Sequence, residues 1–351
     1  MNILKILIVN LLMGSSIAYA ADIAGITVNG EVGFDYNFLS TKSKAIPYTG
    51  DATNETYRLN QAQALLKKET DQISFLGRLV YVPTQYSKDG TTNNKANLGT
   101  LDQVEVFYKA TPKLQIGFGR FLTTMGYESL LKSENATYNN TIAYQSIVPG
   151  YGEGLRAKYV ATDWLIVTLS TYNQTTYSVF GEDYTPTKTT ELSLTGVLGN
   201  FTWFAGYLLG TDAAVAPTTG TVDKSSSSVW ACYKILDNLM VAVTYDSYTR
   251  KNETSHTQWA DSASTIITYG IGMHNFAVRY EMVRGANEIG YGAAETVNST
   301  TISDKLALND NFKIYLEYRM DQADKEVFFD TDGLVTKKEA GLFTLGALAS
   351  F

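Results

Sequence analysis

The chain ends Gly341-Leu342-Phe343-Thr344-Leu345-Gly346-Ala347-Leu348-Ala349-Ser350-Phe351. Gly341, Phe343, Leu345, Ala347, Ala349 and Phe351 occupy every second position, and in a strand they share one face. That face is wholly apolar, and no residue follows Phe351 to cover it. The other face, Leu342, Thr344, Gly346, Leu348 and Ser350, is mixed and built mostly of small residues. The pattern predicts a strand with lipid on one side.

The same pattern opens the chain. From Ile26, the residues Ile26, Val28, Gly30, Val32, Phe34, Tyr36 and Phe38 alternate with Thr27, Asn29, Glu31, Gly33, Asp35 and Asn37. Strands of soluble sandwiches alternate over about six residues. This run is long enough to cross a bilayer with tilt, for which about nine to eleven residues suffice. The apolar set would face lipid and the polar set a watery interior.

Such segments come in pairs joined by short turns near Glu69 to Asp71, Thr111 to Lys113, Asp163, Gly199-Asn200, Asp237-Asn238, His274-Asn275 and Asn309 to Asn311. Between pairs lie longer polar stretches: 40–58, 84–100, 125–152, 178–188, 213–226, 253–258, 287–300 and 325–337. Short connections on one side and long ones on the other predict an all-β fold. It is a transmembrane antiparallel β-barrel of about sixteen strands (14–18), with short periplasmic turns and long extracellular loops. Segments 59–68 and 259–271 alternate poorly. Trp164, Phe201, Trp203, Phe276 and Phe312 follow short turns, as either a headgroup-level aromatic girdle or core filling.

Residues 1–20 carry Lys5, the apolar run Ile6 to Met13 and Ala18-Tyr19-Ala20, which is the layout of a cleaved signal peptide. Residues 21–351 are then one barrel domain. The mean hydropathy of −0.11 fits a barrel, because lipid-facing and water-facing residues cancel in the average. The single cysteine, Cys232, has no intrachain partner, so no disulfide framework operates. A formal net charge of −7 disfavours a nucleic-acid partner.

Alternation assigns Glu31, Asp35, Arg78, Glu105, Lys109, Arg156, Lys158, Glu191, Lys234, Asp246, Arg279, Glu281, Lys305, Lys313, Glu317, Arg319 and Asp321 to the inner wall. Bases and acids nearly balance. They form either a self-compensated wall or opposed ladders that set up a transverse field. The longest connection, 125–152, carries Tyr127, Glu128, Lys132, Glu134, Tyr138, Tyr144 and Tyr151, with Glu153 just after it and the apolar pair Leu130-Leu131 within it. It either folds into the lumen as a constriction, burying Leu130-Leu131, or packs on the rim.

The closing strand resembles that of bacterial outer-membrane β-barrels, in which a terminal Phe is a recognition feature for insertion; Phe351 would be that signal. Leu101-Asp102-Gln103-Val104-Glu105-Val106-Phe107-Tyr108, Gly117-Phe118-Gly119-Arg120-Phe121 and Gly126-Tyr127-Glu128 resemble a Gram-negative outer-membrane β-barrel porin family, porin-2-like. Pro149-Gly150-Tyr151 and Gly154-Leu155-Arg156-Ala157 also fit its order. The resemblance implies a bacterial outer-membrane channel for passive diffusion of small hydrophilic solutes. Its partners would be outer-membrane lipids, lipopolysaccharide and the barrel-assembly machinery, with a homotrimer by analogy. The alternative is a non-conducting barrel acting as an adhesin, a receptor or a structural protein. Arg120 shares parity with Leu114, Ile116 and Phe118, so either a bulge reverses the face near Gly117–Gly119 or Arg120 lies above the hydrocarbon.

Other signals are weaker. Asp330, Asp332 and Glu339 partly overlay a calcium loop, but Phe328 would take the first ligand position and cannot coordinate. No metal or cofactor is expected. His256 and His274 are the only side chains that titrate near neutral pH when unperturbed, and they fall at opposite ends of the barrel. No enzyme is expected.

Overall fold

A computed structural model of the chain describes residues 21–23, 25–40, 56–81, 100–176, 187–213, 221–252, 257–330 and 334–351. Its sixteen long strands begin with β1 (Ile26–Leu39), β2 (Thr56–Glu69), β3 (Ile73–Tyr81) and β4 (Thr100–Thr111). They continue with β5 (Leu114–Leu122), β6 (Tyr151–Thr162), β7 (Leu165–Thr176) and β8 (Thr189–Leu198). Next come β9 (Phe201–Ala213), β10 (Thr221–Leu236), β11 (Leu239–Asn252) and β12 (Thr257–Ile271). The last four are β13 (His274–Arg284), β14 (Thr296–Asn309), β15 (Phe312–Ala323) and β16 (Glu339–Ser350).

Each strand pairs antiparallel with its chain neighbour, and β16 returns to β1, from Leu342 opposite Leu39 to Ser350 opposite Glu31. The result is a closed sixteen-stranded barrel with no free edge. A short segment, Ala21–Ile23, folds back on β1. Seven tight turns and both ends of the barrel sheet lie at one rim, and the strand ends joined by the eight longer connections lie at the other. Phe34, Phe38, Phe343 and Leu345 stand on the outer face, while Glu31, Asp35, Thr344 and Leu348 are buried inside. Trp164, Phe276 and Phe312 are also outward, near the turn rim.

Local irregularities explain where the pattern blurs. In β2, Gly33 faces Gln61 and Phe34 faces Leu59, so Asn60 is an extra residue. Before this bulge Tyr57 and Leu59 point outward; after it the even-numbered Ala62, Ala64 and Leu66 do. Asp102 is likewise extra in β4, because Arg78 faces Gln103 and Leu79 faces Leu101. The β12 strand alternates regularly, but Thr265 faces out and Ile266 faces in, which inverts the expected polarity. One turn differs from its expected place. Gly272-Met273, with Gly272 at φ +59, makes the β12–β13 bend, and His274 already belongs to β13.

Candidate functional site

Residues 123–150 join β5 to β6, and their two feet are tied together. The Thr123 amide donates to the Gly150 carbonyl (2.8 Å) and its hydroxyl to the Pro149 carbonyl (2.6 Å). From there the segment turns into the barrel. Thr124 N donates to Glu191 on β8 (2.8 Å), and Gly126 N to Ser228 on β10 (3.1 Å). Trp230 returns a bond to the Gly126 carbonyl (3.1 Å). Met125 and Val148 pack on Phe204 and Leu208 of β9, and Tyr127 packs near Cys232, Ala242 and Ile266.

Three wall carboxylates then each accept from two successive loop amides. Glu31 takes Lys132 N (3.0 Å) and Ser133 N (3.1 Å). Glu317 takes Tyr138 N (2.6 Å) and Asn139 N (3.0 Å). Glu281 takes Ile142 N (2.9 Å) and Ala143 N (2.8 Å), the opening amides of a short helix, α1 (Ile142–Ser146). A helix start has amides without intrahelical partners, and an anion satisfies them. Thr141 caps α1 through Tyr144 N (3.1 Å), while Glu128 accepts from both Thr141 N and its hydroxyl (2.7 Å each).

Wall cations bind the loop's carbonyls. Arg279 donates to the Asn139 carbonyl (2.8 Å) and pairs with Glu128 (2.9 Å). Arg319 reaches the Asn140 carbonyl (3.2 Å) while paired with Asp321 (2.8 Å). Lys305 donates to the carbonyls of Ser133 (3.4 Å) and Asn135 (3.0 Å). Buried charge is costly unless paired or hydrogen-bonded; Arg279 and Arg319 have an ion pair as well as carbonyl acceptors, and Lys305 has two carbonyl acceptors.

Tyr138 is the loop's aromatic anchor and is fully buried. Its ring lies on Gly346, where an added Cβ would come within 2.6 Å of it. Its hydroxyl donates to Asp35 (3.2 Å), and Tyr315 packs on it with ring centroids 5.4 Å apart. The Lys132 ammonium sits 4.4 Å from the same ring and donates to the Tyr138 carbonyl (2.9 Å).

A second group of charges lies on β3–β6. Arg78 pairs with Asp102, and Tyr151 donates to the same carboxylate (2.8 Å). Arg120 pairs with Glu153 (3.2 Å) and lies over the Tyr151 ring at 5.0 Å. The face of β5 therefore reverses at Gly119 (φ +144), and Arg120 points inward. Arg156 donates to Ser170 (2.9 Å) and the Leu122 carbonyl (2.7 Å), with Phe121 4.5 Å from its guanidinium carbon. The Lys158 ammonium sits 4.4 Å from the Phe107 ring.

Several expected residues sit differently from their expectation. Leu130-Leu131 are only half-buried; Met125, Tyr138, Ile142, Ala143, Ile147 and Val148 are the loop's buried apolar contacts. Glu128 is held by Arg279 and Thr141 and is not a free charge. Glu134 accepts from the Ser129 hydroxyl (2.5 Å). Lys109 pairs with Glu69 near the turn rim, and Lys234 is exposed there beside Asp237 (3.1 Å). Glu105 and Lys313 are buried on the inner wall. Asp330 accepts from Leu334 N (2.9 Å) and Glu339 from Gln322 (2.6 Å); Asp332 and His256 fall outside the described residues. His274 stands on the outer face, hydrogen-bonded to Asp304 (2.8 Å). Sequence reasoning missed Asp102 and Arg58, because the bulges at Asp102 and Asn60 disturb the count that assigns faces.

No curated protein matches the chain. Among solved structures it is similar to the outer-membrane channel DcaP of Acinetobacter baumannii, at 14% identity and a TM-score of 0.63, covering 95% of this chain and 100% of that one. It is also similar to an anion-selective porin from Comamonas acidovorans, at 8% identity and a TM-score of 0.64, covering 93% and 99%. OmpT of Vibrio cholerae matches at 16% identity and a TM-score of 0.62, covering 95% and 100%, and that protein has also been solved in a trimer form. At these identities the likeness shows the fold alone. The family model described as "Putative beta-barrel porin-2, OmpL-like" matches residues 25–351. The chain is a member of that family, an outer-membrane β-barrel porin.

Proposed function

We propose that the protein is a passive channel through which small hydrophilic solutes cross a bacterial outer membrane. The observation that carries this reading is residues 123–150, held inside a polar-walled barrel by wall charges on β1, β13, β14 and β15. A surface loop would not need such a set of internal partners. Within the lumen this segment forms the constriction, and the charged inner residues line the path around it. Residues 1–20 are a cleaved leader, and residues 21–351 are the mature barrel. Lipid and lipopolysaccharide surround the barrel, the barrel-assembly machinery inserts it, and it works as a homotrimer. No catalytic chemistry is assigned to it.

Planar-bilayer recording of the purified protein tests the reading. Ohmic single-channel steps are expected. A correctly folded barrel that gives no steps would be a structural or receptor protein instead.

A further inference from the structure

One acid of the inner wall is not answered as its neighbours are. Glu31, Glu281 and Glu317 each hold two loop amides, and Asp321 holds Arg319. Asp246 on β11 faces the same lumen and is 4% exposed. The residues opposite it on the flanking strands are both serines, Ser228 on β10 and Ser262 on β12. Ser228 hydrogen-bonds to its carboxylate, whereas the Ser262 hydroxyl donates to Glu281 instead (2.9 Å). Asp246 Oδ1 is left with no hydrogen-bond partner among the described residues. The charges that act on this carboxylate are those of Glu281 and Glu128, both negative.

A small cavity lies beside it, between the wall and the loop. The wall contributes Asp246, Thr244 and Ser264, the last two hydrogen-bonded to each other (2.7 Å). The loop contributes Glu128, Thr141 and Tyr144. The polar side-chain atoms of all six are oxygens, and no Lys, Arg or His lines the cavity among the described residues. There is room for about one water-sized body, too little for a solute. A buried carboxylate without a counter-charge is costly, and oxygen donors suit a hard cation. A divalent ion fits poorly, because magnesium keeps several waters and calcium takes about six to eight oxygens. Sodium or potassium needs neither.

We propose that this cavity binds one monovalent alkali cation, sodium or potassium, with Asp246 as its anionic ligand and the surrounding oxygens completing its shell. Bound there, the cation touches β11 and β12 on one side and the loop on the other, so it clips the loop to the wall through charge as well as through amides. A proton on Asp246, or a water beside it, is the competing way to satisfy the same oxygen. The inference concerns how the loop is seated and does not depend on conduction.

Heat-modifiable gel migration of the detergent-solubilised barrel tests it, in mixtures of potassium or sodium chloride with N-methylglucamine chloride. Constant ionic strength holds screening fixed, and N-methylglucamine is too large for the cavity. A ligand that binds only the folded state stabilises it by mass action. The unfolding midpoint should climb by roughly 2–4 °C for each tenfold rise in the small cation above half-saturation. Asp246→Asn keeps the side-chain size, removes the charge and should lose that dependence. If this variant fails to fold, the wild-type series still decides. A crystal grown with thallium(I), a potassium mimic, should show an anomalous peak within coordinating distance of Asp246. Equal midpoints in the three salts, a folded Asp246→Asn barrel that keeps the shift, or a water only beside Asp246 overturns the site. Each of those results leaves the channel reading standing.

Discussion

Phe351 and Gly30 exchange both backbone hydrogen bonds, Phe351 N to the Gly30 carbonyl (3.0 Å) and Gly30 N to the Phe351 carbonyl (2.8 Å). The ring lies across the glycine, where any Cβ would overlap it. The last residue of the chain thus completes the seam between β16 and β1, and its aromatic ring covers the exposed backbone of a glycine on the adjoining strand.

Two changes at this seam should act alike. Deleting Phe351 removes both hydrogen bonds and the ring, and Gly30→Leu displaces the ring while keeping the backbone. Both are expected to lower the yield of folded barrel in the outer membrane and to raise a protease-sensitive periplasmic pool, with the deletion more severe. Fractionation followed by gel migration measures this. A deletion with wild-type yield would show that insertion does not read the terminal residue.

At Glu317, replacement by alanine strips the acceptor from Tyr138 N, Asn139 N and the Asn139 side-chain amide (2.9 Å). Hydrogen bonds to charged groups contribute about 1.5–3 kcal/mol each, and orphaned amides add a penalty. A loss of about 3 kcal/mol in denaturant unfolding is expected, with Glu317→Gln costing less because one acceptor oxygen stays in place. Equal, small effects of the two variants would mean that the loop is held elsewhere.

Removing residues 129–145 should raise single-channel conductance, since these residues occupy lumen that would otherwise be solvent. Glu128 and Glu134 separate in their expected effects. Neutralising Glu134 moves the reversal potential towards anions through the local field. Neutralising Glu128 unpairs Arg279 and Thr141, and it should appear as open-channel noise. Unchanged conductance in the deletion would place the narrowest point outside this segment.

Gly119 offers a backbone test. At φ +144, a Cβ there would overlap the Val104 carbonyl of β4. Gly119→Ala should cost roughly 1–3 kcal/mol through strain alone and should turn Arg120 away from Glu153. A Gly119→Ala barrel that unfolds at the wild-type denaturant concentration would show that the reversal of β5 needs no glycine.

The barrel was legible in the sequence because lipid on one side and water on the other impose alternation on every strand. Phe351, Val32 and Glu31 each stand on the face their parity assigns. Legibility failed where one residue shifts the count, as Asn60 and Asp102 do, or where an apolar side chain points inward to meet the loop, as Ile266 does. His274-Asn275 resembled a turn because polar residues mark turns, whereas the bend uses the positive φ of Gly272. The loop's charges were visible in type. Their partners were not, because Glu317 and Tyr138 are far apart in the chain and meet only through closure. The expectation that Leu130-Leu131 would anchor the loop followed hydropathy, but the larger anchors are a tyrosine and backbone amides, which hydropathy does not register.

The wall carboxylates Glu31, Glu281 and Glu317 sit on β1, β13 and β15, the first and the last thirds of the chain, yet grip one short stretch of the middle. Before β16 meets β1, Glu31 has no fixed position relative to Glu317, and the loop can satisfy one end of its contacts but not both. Seating of the loop is therefore a gauge of circumference: it fits one strand number and one register, and a barrel closed with a slipped seam would leave amides unmet. Closure and loop docking are therefore expected to coincide, and an assembly intermediate stalled before the seam should present residues 123–150 to protease.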